Sequence, residues 1–172
     1  ATKSVIAEYK LPASLDKDVN PNSVTELWAS VTRPAALASG KKYPLLVFLH
    51  GNHGTCGYGS NPRSDSSCDY TYSGTCPTGW VVTPNHRGYD YITSALAARG
   101  YIVLSINANR GINCNGGSSG DMGLNLARGR LILRHLQQLS AWNRGAATTP
   151  SSLGFSLASR LDFGQVGLFG HS

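Results

Sequence analysis

Period-two alternation opens the chain. Over residues 4–11, Val5, Ala7, Tyr9 and Leu11 fall on one face, with Glu8 and Lys10 on the other. Residues 24–31 repeat the pattern through Leu27, Ala29 and Val31. Such alternation marks half-buried strands, and the Pro/Asn/Asp-rich segment 12–23 between them reads as a hairpin connection. Residues 45–49, Leu-Leu-Val-Phe-Leu, are apolar without alternation, and 101–106 and 166–169 read likewise. That is the pattern of strands covered on both faces of a mainly parallel sheet.

Helical periodicity falls between these apolar runs. Residues 90–99 carry Ile92, Ala95 and Leu96 at helical spacing and end at Gly100, a suitable residue just past a helix C-terminus. Asp121 can cap a longer helix reaching about Trp142, whose Leu124, Ala127, Leu131, Ile132, Leu136 and Leu139 form a broad apolar stripe. Two edge strands followed by strand, helix, strand, helix, strand predict an α/β domain with a parallel core. The segment 51–88 is rich in Gly, Ser, Pro, Asn and Tyr, and its length predicts an ordered functional excursion. Segment 143–160 is a second loop, and no internal repeat is present.

Composition narrows the setting. The 172 residues are enough for one core, and 41% hydrophobic content is ordinary for a globular domain. Only 14% of residues are charged, a polar but weakly charged surface common among secreted enzymes. The net charge is +6, yet Lys41-Lys42 is the only adjacent basic pair, so no nucleic-acid footprint is expected. Apolar stretches such as 45–49 are far shorter than the roughly 20 residues that span a bilayer. Ala1-Thr2-Lys3-Ser4 lacks the apolar core of a signal peptide, so an exported protein would stand here in its mature form.

Four cysteines, Cys56, Cys68, Cys76 and Cys114, crowd the middle of the chain without C-x-x-C spacing. Neither a zinc knuckle nor a dithiol redox motif is indicated, and two disulfides in an oxidising compartment are expected. Three connectivities are open; the preferred one joins Cys68 to Cys76 and Cys56 to Cys114. Extracellular or periplasmic localisation follows from that reading.

The chemistry sits at two strand ends. Val166-Gly167-Leu168-Phe169 runs into Gly170-His171-Ser172, the first three positions of a nucleophile elbow, G-x-S-x-G, which exposes a serine hydroxyl at the carboxyl edge of a sheet. The run 45–49 leads into His50-Gly51-Asn52-His53-Gly54, a Gly-rich turn at which backbone N–H groups approach a ligand. In esterases the matching turn supplies one oxyanion-hole donor. The Asn52 amide is the candidate donor here, with His53 an additional contact. His50, His53 and His86 have no spacing that demands zinc, and the chemistry requires no metal or organic cofactor. Arg110, Arg128, Arg130 and Arg134 could be read as an anion site. The three on the long helix lie off its apolar stripe, however, and read as a solvated face. Trp80, Tyr58, Tyr70 and Tyr72 form either an aromatic wall for substrate or a satellite core under the disulfides.

In order and separation, 45–51, 101–105 and 166–172 resemble strands three, four and five of the α/β-hydrolase fold. The chain looks closest to secreted bacterial serine hydrolases of the cutinase-like, polyester-hydrolase and platelet-activating-factor-acetylhydrolase-like group. There, Asn107-Ala108-Asn109-Arg110, Asp121 and Arg128-Gly129-Arg130 have a similar layout. The cysteine-bearing excursion departs from the compact cutinase-like pattern. The resemblance implies an α/β-hydrolase fold, a mainly parallel central sheet flanked by helices, with residues 1–172 forming the N-terminal part of a single domain up to the elbow. It also implies a serine carboxylesterase or lipase acting on short- to medium-chain esters, lipids or polyesters through an acyl-enzyme, with Ser172 as nucleophile. The family's triad order is Ser, then Asp or Glu, then His. All five histidines precede Ser172, so the acid and base are expected in a further C-terminal segment of about a hundred residues. Asp121 and Asp162 read as a helix cap and a turn residue. Amide or peptide hydrolysis, and a non-catalytic secreted binding module, are the alternatives.

Overall fold

The computed structural model describes residues 3–60 and 63–171. Strands β1 (Ser4–Lys10) and β2 (Trp28–Pro34) pair antiparallel, with Tyr9 opposite Ala29. Strand β3 (Tyr43–Leu49) follows. The excursion then folds into β4 (Cys56–Tyr58), β5 (Ser64–Ser67), a short helix α1 (Asp69–Ser73) and β6 (Val81–Val82). A 3₁₀ turn over Asn85–Tyr89 enters α2 (Asp90–Ala98), and β7 (Ile102–Asn107) comes next. A small hairpin, β8 (Gly117–Ser118) and β9 (Asp121–Met122), precedes α3 (Asn125–Asn143) and the last strand, β10 (Leu161–Gly170).

The main sheet has five strands in the order β1-β2-β7-β3-β10. β1–β2 and β2–β7 are antiparallel, whereas β7–β3 and β3–β10 are parallel. The expected mainly parallel sheet of an α/β-hydrolase, flanked by helices, is therefore corrected to a mixed sheet in a small domain with three α-helices among the described residues. The cause lies in β2, which was expected at an edge and instead inserts beside β7. Its residues from Trp28 to Thr32 are all buried, Ser30 and Thr32 included. Period-two alternation reports which face a residue occupies, but not the direction of the neighbouring strand.

The sheet separates two apolar layers. Leu45, Val47, Leu104 and Ile106 face Ala127, Leu131, Leu139 and Trp142 of α3. Leu46, Phe48 and Val103 face Ala97, Ile92 and Leu96 of α2. The predicted apolar stripe of α3 also carries a polar residue: His135 is fully buried, and its Nδ1 accepts the Tyr9 hydroxyl at 2.6 Å. Burial pushes the Tyr9 phenol up and holds His135 neutral, down to about 3. Asp121 lies in β9 rather than at the helix cap, yet its carboxylate accepts the N–H groups of Leu126 (2.8 Å) and Ala127 (3.1 Å). Asp162 accepts the Gly164 N–H at 2.9 Å where β10 shifts register against β3.

His135 (about 3) and His50 (about 4) both lie below the unfolded value of 6.5. The unfolded chain thus binds protons that the folded chain does not. Stability present above about pH 6.5 is lost as pH falls toward those lowered values, with a slope of up to ~1.4 kcal/mol per pH unit for each histidine. Urea unfolding between pH 7 and 4.5 should show this loss. The double variant Tyr9→Phe/His135→Leu should have a shallower slope, and an unchanged slope would contradict the assignment.

Candidate active site

Strand register brings the two chemistry-bearing turns together. Gly170 of β10 pairs with Leu49 of β3, and the His171 N–H donates to the Leu49 carbonyl at 3.3 Å. Gly170-His171 therefore stands beside Leu49-His50-Gly51-Asn52 at one edge of the sheet. Ser172 lies outside the described residues. His171 borders two cavities. One, of about 310 Å3, is lined by Leu49, His50, Gly51, Asn52, Gly123, Asn125, Arg128 and Gly170. The other, of about 180 Å3, is lined by His50, Gly51, His53, Asn85, Gly88 and Tyr89. Among the described residues, no carboxylate lines either one.

His50 is built into the scaffold. It is buried, its Nδ1–H donates to the Gly51 carbonyl at 2.8 Å, and its Nε2 accepts the Ala108 N–H at 2.9 Å. Burial, reinforced by the Arg128 charge, pushes its pKa down to about 4. A neutral imidazole with both nitrogens engaged locks the β3 turn to the end of β7 and has no lone pair left for proton transfer.

Asn52 and His53 are exposed at the crest of the turn. The Asn52 Oδ1 accepts the Cys114 N–H at 2.9 Å and an Arg128 Nη2–H at 3.3 Å. Among the described residues, the backbone N–H groups of Asn52 and His53 donate no hydrogen bond. Gly54 is required behind them, because a Cβ there would lie 2.5 Å from the Asp65 carbonyl oxygen.

A buried amide network that sequence reading missed supports this edge. Asn107, Asn109 and Asn113 are all buried. The Asn109 Oδ1 accepts from Asn85 (2.8 Å) and Asn113 (3.2 Å), while its Nδ2 donates to the Thr83 carbonyl at 2.7 Å. Asn107 contacts His86, whose other ring nitrogen bonds Glu8. The signal was present in the sequence as four asparagines within residues 107–115, directly after an apolar strand.

The arginine face is corrected as well. Arg130 is exposed, but Arg134 pairs with Asp16 and Asp18, and Arg110 donates to the Tyr70 carbonyl. Arg128, in the first turn of α3, reaches inward to Asn52 and to Asn113 Oδ1 (3.1 Å), and burial lowers its pKa. The aromatic residues divide. Tyr70 joins Trp28, Cys56, Cys76 and Trp80 in a satellite core, whereas Tyr58 and Tyr72 are exposed.

The four cysteines form two disulfides, but as Cys56–Cys76 and Cys68–Cys114, the reverse of the preferred partners. Helix α1 occupies most of the chain between Cys68 and Cys76. It docks on the loop after β7 through Thr71 Oγ1 to the Asn113 carbonyl at 2.7 Å, which sets Cys68 against Cys114. Two disulfides suit an oxidising compartment. No helix among the described residues is long and apolar enough to cross a membrane.

No protein-family model matches the chain, and no curated protein matches it. Among solved structures it is weakly similar to a ferulic acid esterase from Streptomyces cinnamoneus, at 15% identity and a TM-score of 0.42, covering 99% of this chain and 52% of that one. It is also weakly similar to a protein designated m3DLH, at 13% identity and a TM-score of 0.36, covering 96% of this chain and 49% of that one. The chain spans about half the length of each. Likeness at this level fixes neither fold nor activity.

The geometry makes a direct prediction for His50. In an NMR titration of the folded protein its ring should stay neutral, with the proton on Nδ1, down to about pH 4. A midpoint near 6.5 would contradict the two hydrogen bonds that define the turn.

Proposed function

We propose that residues 1–172 are the nucleophile-bearing part of a secreted serine hydrolase that cleaves carboxylic esters through an acyl-enzyme. Ser172 attacks the ester carbonyl and the alcohol leaves; water then releases the acid. The Asn52 N–H, with His53 beside it, is one oxyanion donor, and the amide following Ser172 is the other. Substrates are short- to medium-chain esters, lipids or polyesters.

The observation that carries this reading is the register of β3 and β10. It holds Gly170-His171 against the Gly51-Asn52 turn, whose outer amides donate to no partner among the described residues. Preorganised donors of this kind are worth about 10²–10³ in rate, because they oppose charge developing on the carbonyl oxygen. A serine hydroxyl also needs a base. His50, His86 and His135 are committed to Ala108 and Gly51, to Glu8 and Asn107, and to Tyr9. His53 belongs to the oxyanion turn, and His171 adjoins the serine in sequence. We therefore assign the triad acid and histidine to chain beyond residue 172. The exposed apolar residues of edge strand β10, Val166, Leu168 and Phe169, are the surface that such a segment would cover.

The full-length protein should hydrolyse p-nitrophenyl butyrate and be labelled by a fluorophosphonate at Ser172, with Ser172→Ala losing at least about 10³-fold in kcat. Faster cleavage of the matched anilide would shift the assignment to an amidase. Failure of labelling and of hydrolysis together would favour a binding module.

A further inference from the structure

The larger cavity has an electrostatic character that ester hydrolysis alone does not require. Among the described residues its lining contains one permanent cation, Arg128, and no carboxylate. Among the described residues the guanidinium is held by neutral groups: Nη2 donates to the Asn52 and Asn113 side-chain oxygens, and Nε to the Gly123 carbonyl at 3.5 Å. Nη1 is buried and has no hydrogen-bond partner among the described residues. Arg134, six residues further on, is by contrast neutralised by Asp16 and Asp18. Asp121, the nearest acid in sequence, spends both oxygens on the Leu126 and Ala127 amides. A partly buried arginine keeps its charge, so the cavity is lined by a cation that no carboxylate among the described residues neutralises.

From this geometry we infer that Arg128 is a specificity-determining residue that recognises a carboxylate on the substrate, making ester-acids (half-esters of dicarboxylic acids) the preferred class. The inference rests on the ester-hydrolase reading and deepens it. The cavity runs from Arg128 to Gly51, Asn52, Gly170 and His171, so a substrate reaching the oxyanion turn can place a second polar end at the guanidinium. One cation matches a monoanion. A phosphate dianion would leave a charge unpaired. A charge-assisted hydrogen bond of this kind corresponds to roughly 10- to 100-fold in affinity.

The test compares mono-p-nitrophenyl glutarate with p-nitrophenyl valerate, which differ only in the terminal carboxylate, on the full-length protein. Wild type should favour the glutarate ester in kcat/KM, and the preference should shrink as salt is raised. Arg128→Gln should reduce the ratio of the two kcat/KM values at least about tenfold, mainly through KM, and Arg128→Lys should retain part of it. Equal losses on both esters, or an unchanged ratio, would overturn the inference while leaving ester hydrolysis standing. Binding of monomethyl glutarate by calorimetry supplies a readout independent of turnover. If neither ester is cleaved, the hydrolase reading fails, and Arg128-dependent binding alone decides the carboxylate site. Binding unaffected by Arg128→Gln, or weaker than that of inorganic phosphate, would overturn it.

Discussion

β3 hydrogen-bonds in parallel to β7 on one side and to β10 on the other, and the candidate site inherits its geometry from those two registers. Alternation does not fix them. Leu45 and Val47 face one apolar layer and Leu46 and Phe48 the other, so a one-residue slip would exchange apolar for apolar. Side-chain shape and the strand ends supply the specificity instead. Phe48 stacks on Phe169 with ring centroids 4.8 Å apart. The Tyr43 N–H donates to the Arg160 carbonyl at one end, and the His171 N–H to Leu49 at the other. With the strand pinned at both ends, the His50 turn and the Gly170 turn must emerge side by side.

Beyond the strand ends the supporting matrix changes from apolar packing to amides. A loop leaving a sheet edge carries backbone groups with no ladder partner, and burying them unpaired costs about 1–3 kcal/mol each. Asn107 and Asn109 meet that demand, Asn107 accepting the Asn109 N–H just past β7 and Asn109 donating to the Thr83 carbonyl, while Asn113 ties Asn109 to Arg128. His50 does the same between β3 and β7. Such a network is rigid because its members satisfy one another, and removing one would strand the partners of the rest.

Strands over 45–49 and 101–106 and the helix over 90–99 were legible because long apolar runs and a Gly stop leave few other conformations. Strand direction was not, because pairing partners are set by long-range packing, and β2, read as an edge strand, took an interior place with Ser30 and Thr32 buried. Arg128 was misread for a related reason. Helical periodicity places a residue on a face, but near the start of α3 that face meets the loop after β7 rather than water. The disulfide partners depended on α1, a five-residue helix too short to be anticipated from its pattern. The two turns of the candidate site were visible because each places glycine and histidine directly after an apolar run. Their adjacency required the register.

The excursion of 51–88 finds its physical role in this setting. A Gly-flanked turn is permissive enough for its amides to face outward and, by the same permissiveness, costs entropy to hold still. The excursion supplies the restraint from outside. Cys68–Cys114 fastens α1 to the loop that donates to Asn52, and Asn85 holds the Gly54 carbonyl at 3.1 Å. Cross-links closing loops of this size limit the unfolded chain by ~3–4 kcal/mol each. Electrostatic stabilisation by a donor depends on its orientation being set before charge develops. The disulfide-framed excursion and the buried amides therefore act on the same quantity, the freedom of the Asn52 turn, one from the loop side and the other from the sheet side.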